Sequence, residues 1–176
     1  MSDVQRRLVN LHRENGRALH GLFFRLTLDG DAAADLLQDL YAQLTAAAGF
    51  AAATDPVAYA YRAAFHLISN HRRTLGRNRP PSPLQSDPPA ANASPAESVA
   101  RDEEFQQLLA ALESLPDGPR QAFTLHHVQQ LPYEEVARIL EISAHSARAL
   151  THRALQLLRE RFSSSADKGG TYARLD

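Results

Sequence analysis

The stretch LPYEEVARILEISAHSARALTHRALQLLRERF, residues 131–162, constrains this chain more than any other. Val136, Ala137, Ile139 and Leu140 recur at helical spacing, and Pro132 stands at the first turn, where its missing N–H is not needed. Only Glu141 and Ile142 separate the last apolar pair from Ser143, a residue type that caps the free amides of a helix start. So short a connection forces the second helix to leave at a steep angle, the geometry of a helix-turn-helix. Ala147, Leu150 or Thr151, Ala154, Leu157 and Leu158 then form its buried stripe. His145, Ser146, Arg148, His152 and Arg153 point elsewhere, and a helix with Ser, His and Arg in its first turns can lie in a DNA major groove. An ordinary solvated corner of an all-α protein has the same spacing.

Residues 80–98, PPSPLQSDPPAANASPAES, hold six of the ten prolines and almost no large apolar side chain. Such a segment buries too little surface to offset its ordering entropy, which predicts an extended, mobile linker. The chain is therefore expected to be all-α, with two small helical domains at 4–79 and 99–163 joined by this Pro-rich linker. The second is the helix-turn-helix domain, and residues 164–176 are a Ser- and Gly-rich tail, with Tyr172 and Leu175 available for a weak docking contact.

In the first unit, Leu8, Leu11, Leu19, Leu22, Phe23 and Leu26 keep helical spacing until LDGDAA interrupts them. Asp31 is the expected cap of a second helix, which buries Leu36, Leu37, Leu40, Tyr41 and Leu44 and shows Asp35, Gln38 and Asp39 on its polar side. GFAAATDP breaks the pattern, and a third helix runs from Val57 to about Leu75 with Tyr59, Tyr61, Phe65, Leu67 and Ile68. From Arg62 to Arg79 the chain carries five arginines, two histidines and no acid. Aromatic residues among cations suit stacking on unpaired bases and neutralising phosphates. Equally, the tyrosines can be core and the arginines a solvated helix end. After the linker, Phe105, Leu108, Leu109 and Leu112 form one stripe, LPDGP turns the chain, and Arg120 to Gln130 makes a short helix over the helix-turn-helix.

Other chemistries are excluded or unsupported. The chain has no cysteine, which removes disulfides, thiolate metal sites and cysteine nucleophiles. Its eight histidines are scattered, and no Gly-rich phosphate loop or nucleophile motif appears, so neither an enzyme nor a cofactor is expected. The N-terminus lacks the apolar core of a secretion signal and no run is long enough to cross a bilayer, so a cytoplasmic protein without membrane insertion is expected. A net charge of −1 does not argue against nucleic acid, because phosphates meet local patches and not the whole chain.

Taken in order, these segments resemble a bacterial sigma factor of the extracytoplasmic-function group. Leu115-Pro116, Arg120, Glu135-Val136-Ala137, Ser143 and His152-Arg153-Ala154 are similar to the family's second-domain pattern. GDAAADLLQDLY resembles the segment that holds core RNA polymerase, and Pro56 to Arg73 resembles the one that opens and reads the minus-10 element. The resemblance implies a transcription initiation factor whose partners are core RNA polymerase, promoter DNA and an anti-sigma factor. Carried onto this sequence, it gives Asp35, Gln38 and Asp39 to the polymerase. Tyr59, Tyr61, Arg62, His66, Asn70, Arg72 and Arg73 go to the minus-10 element, and Arg120, His145, Ser146, Arg148, His152 and Arg153 to the minus-35 element. The chain departs from the pattern at Tyr59-Ala60, usually Trp-Leu, at Ala64-Phe65-His66, usually Ala-Arg-Asn, at Asn70, usually Asp, and at Leu150, which stands where a cation is common.

Two other readings fit the same residues. One is a polymerase- or partner-binding helical module that has lost promoter reading, which Leu150 and Phe65 suit. The other is a helix-turn-helix repressor whose first domain binds an effector, against which the basic run counts.

Overall fold

The computed structural model describes residues 2–78 and 107–168. All regular structure among them is helical. The first half holds α1 (Asp3–Thr27), α2 (Gly30–Ala46), the single-turn α3 (Ala48–Ala52) and α4 (Pro56–Asn78). In the second half a helix ending at 113 (α5, described from 107) leads to α6 (Asp117–Phe123) and a π-helical turn, Thr124–Val128. The helix-turn-helix follows as α7 (Tyr133–Leu140) and α8 (Ala144–Lys168). The expected linker, Phe105, Arg77, Arg79, Tyr172 and Leu175 lie outside the residues whose side chains are described.

Each half closes around a few large side chains. Leu19, Leu22, Phe23, Leu40, Leu44 and Phe50 are fully buried where α1, α2 and α3 meet α4, and Leu112, Leu125, Val136 and Ile139 do the same in the second half. At roughly 1.5–3 kcal/mol for each large apolar side chain, this burial outweighs the exposed ion pairs, which contribute about 0–1 kcal/mol apiece.

Several boundaries differ from the sequence reading for identifiable reasons. Asp29, not Asp31, caps α2, its side chain accepting from the Ala32 N–H at 3.0 Å. The chain reverses at Leu28, which takes the left-handed conformation (φ 55°), so Gly30 is the first residue of a helix and not the turn. GFAAATDP contains the extra turn α3, which seats Phe50 in the core. Pro132 is the cap of α7 rather than its first residue. The Arg120–Gln130 helix widens into the π turn, with Gln129 N–H donating to Thr124 O at 2.9 Å. Helix α8 runs to Lys168, so the first residues of the expected tail are helical. Ser143 caps α8 as expected, its Oγ accepting from the Ser146 N–H at 3.0 Å, a contact worth about 1 kcal/mol.

Candidate nucleic-acid interface

The turn of the helix-turn-helix is made without glycine. Glu141 sits in the left-handed region (φ 57°), and its N–H and that of Ile142 both close on Ala137 O. That reversal, with the Ser143 cap, directs α8 away from α7. Ala147, Thr151, Ala154 and Leu158 turn inward, so Thr151 rather than Leu150 completes the stripe, its hydroxyl satisfied by Ala147 O at 2.9 Å. His145, Arg148, His152 and Arg153 are exposed, and Ser146 is half-buried beside its cap partner. Among the described residues neither Arg148 nor Arg153 is in a salt bridge, which leaves their charge available to an anion.

Arg148 is the best organised of them. Its guanidinium lies over the Tyr133 ring at 5.0 Å from the centroid, and His126 stacks on the same ring at 4.0 Å. The π turn brings His126 there, its Nδ1–H donating to Leu131 O at 2.8 Å. Tyr133 and His126 were not among the expected site residues, because sequence spacing does not reveal a wide turn.

Leu150 has a packing role. Its methyl groups lie 3.6 and 3.7 Å from where a Cβ on Gly118 would stand, so it closes α8 onto α6. Arg120, which the resemblance gives to the minus-35 element, is turned inward in this arrangement. Its side chain is mostly covered, pairs with Asp117, donates to Glu113 O at 3.4 Å and lines a cavity of 230 Å³ between the halves.

The minus-10 candidates divide sharply. His66, Asn70 and Arg73 are exposed, the last two bonded to each other. Tyr61, in contrast, is 3% exposed, which makes it core here and not a stacking platform; burial pushes its hydroxyl pKa up, against the lowering effect of nearby Arg138. Tyr59 is half-buried and leans on Phe50, ring centroids 5.9 Å apart. Arg62 donates to Ile139 O and pairs with Glu141, both at 2.9 Å. Arg72 donates to Leu26 O at 2.9 Å, while its buried Nε lies 3.2 Å from Glu113 Oε1 without the alignment of a hydrogen bond. Burial, with nearby Arg120, lowers the Arg72 pKa and Glu113 opposes it.

On α2, Asp35, Gln38 and Asp39 are all exposed on one face, and Asp31 extends it by one turn. No group of three or more His, Cys, Asp or Glu among the described residues can hold a metal.

Two family models match this arrangement in order: sigma-70 region 2 over residues 11–78 and sigma-70 region 4 over residues 105–158, together more than half the chain. The chain belongs to the sigma-70 family, in its extracytoplasmic-function group. Its function is that of a transcription initiation factor. It is similar to the RNA polymerase sigma-H factor of Pseudomonas aeruginosa, 28% identical over 152 residues that cover 78% of this chain and 77% of that protein. It is 28% identical over 145 residues to the probable ECF RNA polymerase sigma factor SigI of Mycobacterium tuberculosis, covering 79% of this sigma factor but 50% of SigI. The ECF RNA polymerase sigma-E factor of Salmonella typhimurium is 31% identical over 108 residues, 56% of each chain. The chain thus spans only about half the length of some of these relatives. Its fold is similar to that of CnrH, solved in complex with the cytosolic domain of CnrY, with a TM-score of 0.56 over 91% of this sigma factor and 90% of that chain at 19% identity. No helix among the described residues is long and apolar enough to cross a membrane.

Proposed function

We propose that this sigma factor binds core RNA polymerase through the acidic face of α2 and directs it to promoters by reading a minus-35 duplex with α8 and a melted minus-10 element with α4. The observation that carries the reading is the exposed face of α8, where His145, Arg148, His152 and Arg153 stand together and, among the described residues, form no salt bridge. Arg148 is the base reader, because a guanidinium fork matches the two acceptors of guanine in the major groove. His152 and Arg153, farther along the helix, reach phosphates.

On α4 the exposed His66, Asn70 and Arg73 are the first contacts with unpaired bases and phosphates, and Arg62 and Arg72 join them once freed from their present partners. Asp35, Gln38 and Asp39 supply carboxylates and an amide to basic partners on the polymerase. The polymerase performs the chemistry, so the chain acts as a non-enzymatic subunit in the cytoplasm. An anti-sigma factor is the further partner: the group resemblance supports one, and CnrH, of similar fold, is held in complex with the cytosolic domain of CnrY.

The test is binding of the full chain to core polymerase, followed by footprinting of the complex on promoter fragments. Protection of two patches, one duplex and one melted, is expected in the complex and absent with core alone. Core binding without any footprint would favour the module that has lost promoter reading.

A further inference from the structure

The 230 Å³ cavity lies where α4 meets the end of α5 and α6, and its walls divide by chemistry. Leu26, Phe65, Ile68 and Leu112 make one part apolar, and all four are buried. Arg72, Arg73, Arg120 and Glu113 supply charge to the rest. The space is too large for one ordered water and smaller than the roughly 300–1,000 Å³ of sites that take drug-sized ligands.

The charge in these walls is not balanced. Three guanidiniums face one carboxylate, and counting Asp117, which pairs with Arg120, still leaves three cations to two acids. The hydrogen bonding is incomplete as well. Arg72 is largely covered, and among the described residues its Nε is a buried donor without a hydrogen-bond partner, because Glu113 Oε1 stands 3.2 Å away but out of line. A buried charged donor left unmet costs more than a neutral one, so the site favours an acceptor that can reach it. Glu113 itself is exposed and can swing into solvent with little loss.

We infer that this cavity is a binding site for a small amphipathic anion, whose carboxylate or phosphate head meets Arg72 Nε and the Arg120 guanidinium while its apolar body lies against Phe65, Ile68 and Leu112. An inorganic anion leaves the apolar wall unmatched, and a neutral apolar molecule leaves Arg72 unmet. Both parts of the ligand are therefore required. The head takes the place of Glu113 at Arg72, exchanging a misaligned carboxylate for an aligned, charge-assisted hydrogen bond. Arg73 and Glu113 line the cavity and are exposed, which gives the ligand a way in from solvent. The site belongs to the chain alone, so it does not rest on the promoter roles proposed for α4 and α8.

The test is isothermal titration of the full chain, without polymerase or DNA, with phenyl phosphate and benzoate as probes and inorganic phosphate and benzyl alcohol as controls. At least one probe should bind about tenfold or more tighter than both controls, the factor expected for taking a ring out of water. The probe that binds identifies the head group as phosphate or carboxylate. Ser69→Leu, which fills the cavity from a half-buried position on α4, should remove the binding, and so should Arg72→Met. Glu113→Gln should tighten it by up to about fivefold, since it removes the competing carboxylate, and a misfolded variant gives no such gain. Binding of neither probe, or of a probe no tighter than the controls, would overturn the site. So would wild-type affinity in Ser69→Leu, or no gain in Glu113→Gln.

Discussion

Arg148, the expected base reader on α8, is held over the ring of Tyr133 from α7, 5.0 Å from its centroid. The two helices of the motif are therefore joined at the point where DNA would be read. A cation–π contact at an exposed site contributes about 0.5–1 kcal/mol, enough to bias the side chain toward one orientation before DNA arrives. Ordering a long side chain in advance lowers the entropy lost on binding.

Arg148→Ala should change the preferred minus-35 sequence, with discrimination falling by about 1–3 kcal/mol at one position. Tyr133→Leu should weaken binding by about 0.5–1 kcal/mol and leave the preferred sequence as it was. Arg153→Ala should weaken all sequences alike and lower the salt slope by about one unit. Selection from random duplexes by the full chain at two salt concentrations separates these outcomes. Equal motifs from wild type and Arg148→Ala would remove Arg148 from base reading.

Asp35→Lys with Asp39→Lys should abolish binding to core polymerase and leave helical content and unfolding midpoint unchanged, since both side chains are exposed and make no salt bridge within the described residues. Co-purification with core polymerase is the check. Undiminished binding would move the polymerase contact to another face.

Much of the fold was legible because it depends on local apolar spacing. Ala147, Ala154 and Leu158 are buried where periodicity placed them, and the Ser143 cap follows from residue type. What was not legible depends on contacts far apart in sequence. Tyr61 and Arg62 look like nucleic-acid ligands in the chain, yet one is buried and the other bonded to residues of α7 and its cap, more than seventy positions away. Asp29 displaced Asp31 as a cap because Leu28 adopts a positive φ, a conformation that sequence assigns to glycine before leucine. Leu150, a puzzle in a DNA-reading helix, is explained by the space left above Gly118.

His127 makes a pH-dependent contribution of predictable sign. The His127 ring is exposed but packs on Phe123 at 4.7 Å, and partial desolvation there, with neighbouring His126 adding to the effect, lowers its pKa from the ordinary 6.5. A group whose folded pKa is depressed contributes stability that is present above the unfolded value and lost as pH falls through the folded one. Stability should therefore decline as pH drops below about 6.5. His127→Gln should flatten that decline, as read by urea unfolding across pH 5 to 8. An identical pH dependence in the variant would assign the effect elsewhere. The Asp55–Arg138 contact should not contribute in this window. Burial raises the Asp55 pKa, but the Ala58 N–H and Arg138 outweigh it and leave the carboxyl below its usual range, so that contact fails only in stronger acid.

The central claim is that this chain directs polymerase to promoters, and mapping of transcript start sites tests it most directly. Core RNA polymerase is supplied with a genomic DNA library, with and without the full chain, and 5′ ends are sequenced. The account predicts a set of transcripts that require the chain and share two sequence elements upstream of their starts. It also predicts that Arg148→Ala alters only the distal element. Transcripts that do not depend on the chain, or dependent starts with no shared element, would contradict it.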